Sequence, residues 1–416
     1  MKHYKFLIFF VLLSLVFVSF SNDQYQWGFF AHRRINRLAV FTLDPDMMPL
    51  FKNSIEFLTE HAVDPDKRRY AVKDEAPRHF IDLDRWYTNG ELVLPKKYDE
   101  ALARYGEFVP VDNPGAKGLL GNRSEITVGR SKYIIPQSGS VEDTNTYISF
   151  PWMKYFILSQ VLPMARREDE AIFSGKSIND FFGKHVASST RDYKWIDTFT
   201  IHGILPYQLP DRYDYLVQAF RKKDRKSILR LAGDIGHYVA DAHVPLHTTS
   251  NYNGQLTNQL GLHAFWESRI PELFADKEYD YLVGKASYIK DIDSYVWDMV
   301  LKSHSYVDSV LAIEKRLSIS IPGDQQYCFD ERLGVTVRTQ CEAYAKAYQK
   351  AMSGMVENRM REAILAVGSV WYSAWVDAGQ PNLAKLNKDN TSLDEPEDSE
   401  LDKAFKNNLI IGRPEN

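Results

Sequence analysis

The sequence has few cysteines, few glycines and prolines, and no excess of positive charge. Only Cys328 and Cys341 occur in 416 residues, which excludes a disulfide scaffold, a structural zinc ribbon and a cysteine-ligated cluster. These two thiols form at most one disulfide across a short loop, or stay free. The 18 prolines and 22 glycines exclude a collagen-like or low-complexity chain. Because the formal net charge is −4, binding of duplex nucleic acid by a generally basic surface is excluded.

The first residues have the pattern of a secretion signal. Lys2 and Lys5 precede an apolar run from Phe6 to Phe20, which is short for a membrane span and suits a signal-peptide core. We expect residues 1–26 to form a signal peptide that is cleaved after residue 21 or 26. An uncleaved anchor helix is the alternative. The mature chain has no second apolar run of membrane length, so we expect a secreted, periplasmic or otherwise extracytoplasmic protein without a transmembrane span.

The body of the chain is expected to be mainly α. Apolar residues at helical spacing, with frequent Ala, Met, Arg and Glu, predict helices over 152–170, 213–244 and 342–376. From about 85 to 150, glycines, prolines and β-prone fragments predict an irregular insertion that includes a hairpin as one option.

The end of the chain differs in composition from the body. Residues 388–403 hold seven acids against two lysines, which is typical of a solvated segment. We therefore expect one domain over 27–382 and a polar acidic tail over 383–416.

The 11 histidines carry the chemistry that the sequence suggests. His237 and Asp241 lie four residues apart in a segment predicted to be helical, so their side chains share one face of the helix and are able to bind one ion together. A proline then ends that helix, and His247 follows on the turn. His263 and Glu267 repeat the four-residue spacing. Imidazole together with carboxylate is a ligand set that suits zinc.

One such pair alone is weak evidence, because a core histidine bonded to a nearby acid gives the same pattern. Two pairs close in sequence, with a third histidine between them, favour a metal site. Further candidate metal ligands are residue Asp64 and residues in the segments 27–32 and 78–82. We interpret five further histidines as structural, because the sequence offers them no comparable partners: His61, His185, His202, His243 and His304.

In their order, these residues resemble the superfamily of zinc-dependent phospholipases C and S1/P1 nucleases. The resemblance covers about 27–84 and 203–275, and it implies a secreted, multi-helical body that holds three zinc ions in one cleft. It implies a Trp at the mature N-terminus that binds zinc through its backbone. The ligand set that it implies is Trp27, His32, Asp64, His79, His237, Asp241, His247, His263 and Glu267.

The resemblance also implies roles within this set. Asp64 would bridge the two paired ions, close to His237 and Asp241, and would orient or deprotonate the attacking water. His247, His263 and Glu267 would hold the third ion. The catalytic residues are then expected to be Asp64, Asp241 and Glu267. Asp82 and Asp234 are candidate partners of ligand histidines, and a solvated acid is the alternative for each.

The expected reaction is hydrolysis of phosphate esters by metal-activated hydroxide. This sequence has Glu267 at a position where the nucleases more often have Asp. This difference favours the phospholipase C branch, which is the branch that we prefer. The segments 245–247 and 251–255 resemble nuclease segments and favour an S1/P1-like single-strand nuclease or 3'-nucleotidase. Phe80 beside Asp82 is able to stack on a base, although core packing is the favoured alternative for this ring. A non-catalytic secreted zinc-binding protein is the second alternative. The expected partner is thus a phospholipid or single-stranded nucleic acid, and no obligate protein partner is evident.

Overall fold

The computed structural model describes residues 29–120, 124–128, 131–135, 147–165, 170–332, 335–386, 392–393, 396–406 and 411. These residues are mostly helical, so the mainly α class is confirmed. The predictions for the signal peptide and for Trp27 concern residues outside the described part of the chain. None of the helices searched there is both long and apolar enough to cross a membrane.

The helices of the described residues are numbered in chain order. The α-helices are α1 (Phe29–Ala39), α2 (Met48–Asn53), α3 (Ile55–Glu60), α4 (Asp64–Arg68), α5 (Tyr98–Tyr105), α6 (Phe150–Phe156), α7 (Leu162–Ala165), α8 (Gly175–Phe182), α9 (Leu205–Lys222), α10 (Arg225–Asp241), α11 (Leu262–Ala264), α12 (Ile270–Glu278), α13 (Ile292–His304), α14 (Val307–Ser320), α15 (Gly323–Gln326), α16 (Glu342–Ala351), α17 (Met355–Asp377) and α18 (Pro396–Lys406). Short 3-10 helices are Val40–Thr42, His61–Val63, Ala76–His79, Leu83–Trp86, Thr200–His202 and Pro245–Thr248. Two π-helical turns are Ile157–Val161 and Phe265–Arg269.

The described strands are short and pair antiparallel. They are β1 (Tyr87–Thr88), β2 (Glu91–Leu92), β3 (Glu107–Pro110), β4 (Ser124–Val128), β5 (Ser131–Ile135), β6 (Ile148–Ser149), β7 (Ile172–Ser174), β8 (Asp192–Ile196), β9 (Tyr327–Arg332) and β10 (Val335–Gln340). The sheet orders are β1-β2, β3-β8-β7, β4-β5-β6 and β10-β9. In register, Phe108 faces Trp195 across β3 and β8, and Ile126 faces Tyr133 across β4 and β5.

Two of the predicted long helices are interrupted by residues with positive φ. Lys223 (φ 56°) separates α9 from α10, and the Asp224 side chain caps α10 by accepting from the Ser227 amide at 3.1 Å. Ser353 (φ 52°) and Gly354 (φ 81°) separate α16 from α17. Periodicity predicted the helical content of these segments, but it did not locate the breaks.

The chain divides into two compact units, which we describe separately. The described residues of Met1–Ala76 and Leu209–Asn416 form unit 1, and Pro77–Gln208 forms unit 2. Unit 2 includes the predicted insertion at 85–150 together with a further helical and strand region, and its β4–β5 hairpin lies where β-prone fragments were noted.

Aromatic packing forms much of the core of unit 2. The ring of Phe156 lies 5.6 Å from Phe108, 5.2 Å from Phe173 and 5.3 Å from Phe182, measured between ring centroids. These contacts join α6, β3, β7 and α8. Burial of rings on this scale stabilises a unit whose strands are too short to be stable alone.

In unit 1, α1, α10 and α17 pack closely. The Trp371 indole on α17 donates to the Ala232 carbonyl of α10 at 3.0 Å. The hairpin of β9 and β10, in the same unit, is closed by a disulfide between Cys328 and Cys341. The two cysteines therefore form the single short-range staple, one of the two states that the sequence left open.

Candidate metal centre

Close packing of α1 against α10 brings two histidines together. The Asn36 side chain of α1 donates to the carbonyl oxygens of Gly233 at 3.1 Å and Leu58 at 3.3 Å. Gly236 permits this approach, because a Cβ there would collide with the Asn36 amide. One turn from Asn36, the His32 ring stacks on His237 with centroids 4.0 Å apart.

These histidines share a buried carboxylate. Asp241 Oδ1 lies 3.5 Å from His32 Nε2, and Asp241 Oδ2 lies 3.3 Å from His237 Nε2. Asp66 Oδ1 lies 3.6 Å from the same His237 Nε2. Ligand atoms about 2.1 Å from a tetrahedral zinc ion lie about 3.4 Å from one another. The spacing of His32, His237 and Asp241 therefore fits a shared metal ion.

A second group of ligand-competent atoms lies next along the chain. His247 stands on the 3-10 helix that follows α10, His263 on α11, and Glu267 on the π-helical turn Phe265–Arg269. Glu267 Oε2 lies 3.3 Å from His247 Nε2 and 2.9 Å from His263 Nε2. π-helical turns inside helices are often found at functional sites. These three residues are buried and could also hold a metal ion.

Glu267 and Asp241 join the two groups. Glu267 Oε1 lies 3.2 Å from His32 Nε2, and Asp241 Oδ1 lies 3.9 Å from His247 Nε2. We call the whole set the histidine cluster. It consists of His32, Asp66, His237, Asp241, His247, His263 and Glu267.

Backbone carbonyls orient two of the imidazoles. His237 Nδ1 lies 2.8 Å from the Ala62 carbonyl oxygen and must donate to it, because a carbonyl only accepts. His263 Nδ1 donates to the Tyr252 carbonyl at 3.3 Å. The Asn253 side chain accepts from the His263 amide at 3.3 Å. Each ring thus presents Nε2 to the cluster, as a metal-binding histidine does.

The electrostatics of the cluster favour bound positive charge. Burial lowers the pKa of His237, but the Asp241 and Asp66 carboxylates outweigh burial and raise that pKa to about 9. Burial raises the pKa of Glu267, but hydrogen bonds from three imidazoles outweigh it and hold that pKa well below its usual range. The carboxylates stay ionised, and the protonated His237 ring and the hydrogen-bonding imidazoles offset their charge; a metal cation would do the same.

His243, two residues after Asp241, shows the opposite behaviour. Burial, with the Arg359 charge adding to it, lowers the pKa of His243 to about 3. Its Nδ1 donates to the Val239 carbonyl at 2.7 Å. This histidine therefore stays neutral and serves packing, in line with its structural reading from the sequence.

A second constellation of ligand-type residues lies elsewhere in unit 1. His61 Nδ1 is 2.5 Å from Asp64 Oδ2, and Asp398 lies close enough to join them. Lys67 Nζ lies 3.5 Å from Asp64 Oδ1, and Arg230 Nη1 lies 2.9 Å from Asp398 Oδ1. We call these five residues the ion-pair cluster. Its carboxylates already have basic side chains as partners, so we interpret it as structural.

The structure thus separates two neighbouring carboxylates. Asp64 lies in the ion-pair cluster, whereas Asp66 lies at the edge of the histidine cluster. Sequence reasoning missed Asp66. The signal was present, because the Asp64-Pro65-Asp66 segment offers two acids, but spacing alone does not say which of them faces inward.

The other residues singled out from the sequence lie as follows. His79 is fully buried in unit 2, at the end of the 3-10 helix Ala76–His79. Asp82 Oδ2 in unit 2 lies 3.6 Å from His202 Nδ1. Asp234 binds the Arg68 guanidinium at 2.8 and 3.1 Å rather than a ligand histidine.

Comparison with protein-family models, curated proteins and solved structures gave no match.

Proposed function

We propose that this protein is a secreted, zinc-dependent phosphodiesterase of the phospholipase C type, with a phospholipase C/P1 nuclease-like body. The observation that carries the proposal is the histidine cluster, in which four imidazoles and three carboxylates converge with donor separations of 2.9 to 3.9 Å. Structural zinc sites are more often closed and cysteine-rich, and this cluster consists of histidine and carboxylate only.

The donor set fits zinc, of which three ions are expected. His32, His237 and Asp241 would hold ions on one side of the cluster, and His247, His263 and Glu267 would hold one on the other. When bound, zinc supplies Lewis-acid charge and makes water a nucleophile near neutral pH. The Ala62 and Tyr252 carbonyls keep the Nε2 atoms of His237 and His263 aimed at the metal.

Asp66 is placed to handle the proton of the attacking water. Its side chain is 19% exposed, whereas those of His237 and Asp241 are 0% and 1% exposed. A carboxylate at the accessible edge of such a site is able to orient water and accept its proton. We therefore assign to Asp66 the role that the resemblance suggested for Asp64.

Two structural details weaken the case for nucleic acid as substrate. Phe80 is only 2% exposed, so it is part of a core and not free to stack on a base. The loop 251–255 supports His263 through Tyr252 and Asn253. Both features had favoured a nuclease, and each has a structural role in this fold. Glu267 stands where the nucleases more often have Asp, and it favours the phospholipase branch.

A direct assay tests the proposal. Zinc-loaded full-length protein is incubated with phosphatidylcholine vesicles and, separately, with single-stranded DNA and RNA, next to a Glu267→Ala variant. We expect release of phosphocholine by the wild type and its loss in the variant. Release of nucleotides instead would make the protein a nuclease. Bound zinc without turnover of either substrate would overturn the enzymatic proposal in favour of a zinc-binding protein.

A further inference from the structure

The acidic C-terminal segment carries the helix α18, which packs on the N-terminal part of the same unit, around α1 and α4. Asp402 of α18 pairs with Lys67 at 2.9 Å. Phe405 lies 5.1 Å from Tyr70, edge to face, and 5.4 Å from Phe29. Beyond the helix, the Ile411 amide donates to a backbone carbonyl of the same region at 2.9 Å. Composition predicted a solvated tail, whereas these contacts show that α18 and Ile411, within that tail, are docked.

These contacts fall on the two segments that carry ligands of the histidine cluster. Lys67 lies on α4 next to Asp66, and Phe29 begins α1, three residues before His32. α4 has only five residues, and a helix of that length is not stable by itself. Its orientation is therefore set by its neighbours.

The inner neighbour of α4 is α10. Arg68 binds Asp234 through two hydrogen bonds, which fixes the end of α4. The next residue, Arg69, has Nη1 3.8 Å from Asp66 Oδ1, and its carbonyl accepts from the Ile411 amide beyond α18. α18 supplies the contacts at Lys67 and at Tyr70, on both sides of Arg68 in sequence. Without α18, α4 keeps its tie to α10 and loses these two.

We propose that α18 is a clamp that positions Asp66 for metal binding, with Asp402 and Phe405 as positioning residues. This inference rests on the proposed metal centre. The group formed by His247, His263 and Glu267 lies on other segments. The clamp should therefore affect metal binding near Asp66 and leave metal binding by His247, His263 and Glu267 unchanged. We call these the Asp66 class and the His263 class of metal site.

The test is Co²⁺ titration of the metal-free, full-length protein, followed by its visible absorption. Asp66→Asn and His263→Ala variants assign the two classes of site. The test variant is Asp402→Asn with Phe405→Ala, and the matched control is Lys403→Ala, an exposed position on the same helix. Removal of such supporting contacts weakens metal affinity by about 10- to 100-fold.

We expect the double variant to lose about 10- to 100-fold in Co²⁺ affinity, and only at the sites that Asp66→Asn also weakens. Its Co²⁺ spectrum should change, and Phe405→Leu in place of Phe405→Ala should restore part of the affinity. Unchanged affinity in both classes would overturn the clamp and leave the proposed function intact. An equal loss in both classes would also overturn it, because it would indicate general destabilisation. Wild-type protein that binds no Co²⁺ at either class would overturn the clamp and the proposed function together.

Discussion

The histidine cluster and the ion-pair cluster use the same residue types and behave differently. In the histidine cluster, imidazoles surround the carboxylates of Asp241 and Glu267. In the ion-pair cluster, Lys67 and Arg230 bind Asp64 and Asp398. Residue identity alone does not make a metal site. The distinguishing feature is that Lys67 and Arg230, which keep their protons at neutral pH, accompany His61 in the ion-pair cluster. The carboxylates of Asp241 and Glu267 pair instead with imidazoles, which give up a proton to a metal.

The largest effect should come from exchanging one carboxylate in each cluster for its amide. Asp241→Asn should lower hydrolysis by about 10³-fold, because metal-ion catalysis supplies several kcal/mol and each 1.4 kcal/mol is tenfold. Asp64→Asn should change it by less than about threefold. Steady-state kinetics on the substrate that is turned over measure both. Equal losses in the two variants would erase the distinction between the clusters.

Asp66 should behave as a member of the histidine cluster. Asp66→Asn should weaken zinc affinity by about 10- to 100-fold, and competition with a chromogenic chelator measures the change. Asp64→Asn serves as control, since it lies two residues away on the same short helix. A larger loss in the Asp64 variant than in the Asp66 variant would restore the ligand choice that the sequence suggested.

Part of the histidine cluster could be predicted from the sequence because helical spacing encodes it. His237 with Asp241, and His263 with Glu267, are each four residues apart and do meet. The mainly α class follows from the same periodicity. Spacing carries less information in short segments, which is why Asp66 was missed on the five-residue α4.

Contacts between segments distant in sequence could not be predicted. The acidic composition of 388–403 indicated solvation, yet Asp398 binds Arg230 and Asp402 binds Lys67. Composition reports average polarity, whereas docking depends on a few specific partners. The bounds of unit 2 likewise could not be predicted from the sequence, because helices on both sides of the predicted insertion belong to this unit.

Close packing behind the histidine cluster can be tested at two glycines of α10. Gly236→Ala should destabilise the protein by about 1–3 kcal/mol, because the new Cβ collides with the buried Asn36 amide. Gly233→Ala is the matched control, since its Cβ would lie 3.6 Å from the nearest atom. Denaturant unfolding measures both, and we expect the control to be neutral or stabilising. Similar losses in both variants would refute this packing account.

The smallest effect should come from the ion-pair cluster itself. Arg230→Gln should lower the free energy of unfolding by about 1 kcal/mol, since it removes a partly exposed ion pair with Asp398 and the hydrogen bonds to the Leu393 carbonyl. The number of metal ions bound at saturating zinc should not change. Metal analysis after gel filtration checks this. A loss of bound metal would show that the two clusters are one site.

The most direct test of the central claim is to locate zinc in crystals of the full-length protein by anomalous scattering at the zinc edge. We predict peaks among His32, His237 and Asp241 and among His247, His263 and Glu267, with none among His61, Asp64 and Asp398. Zinc at the last group, or no zinc at the first two, would contradict the account.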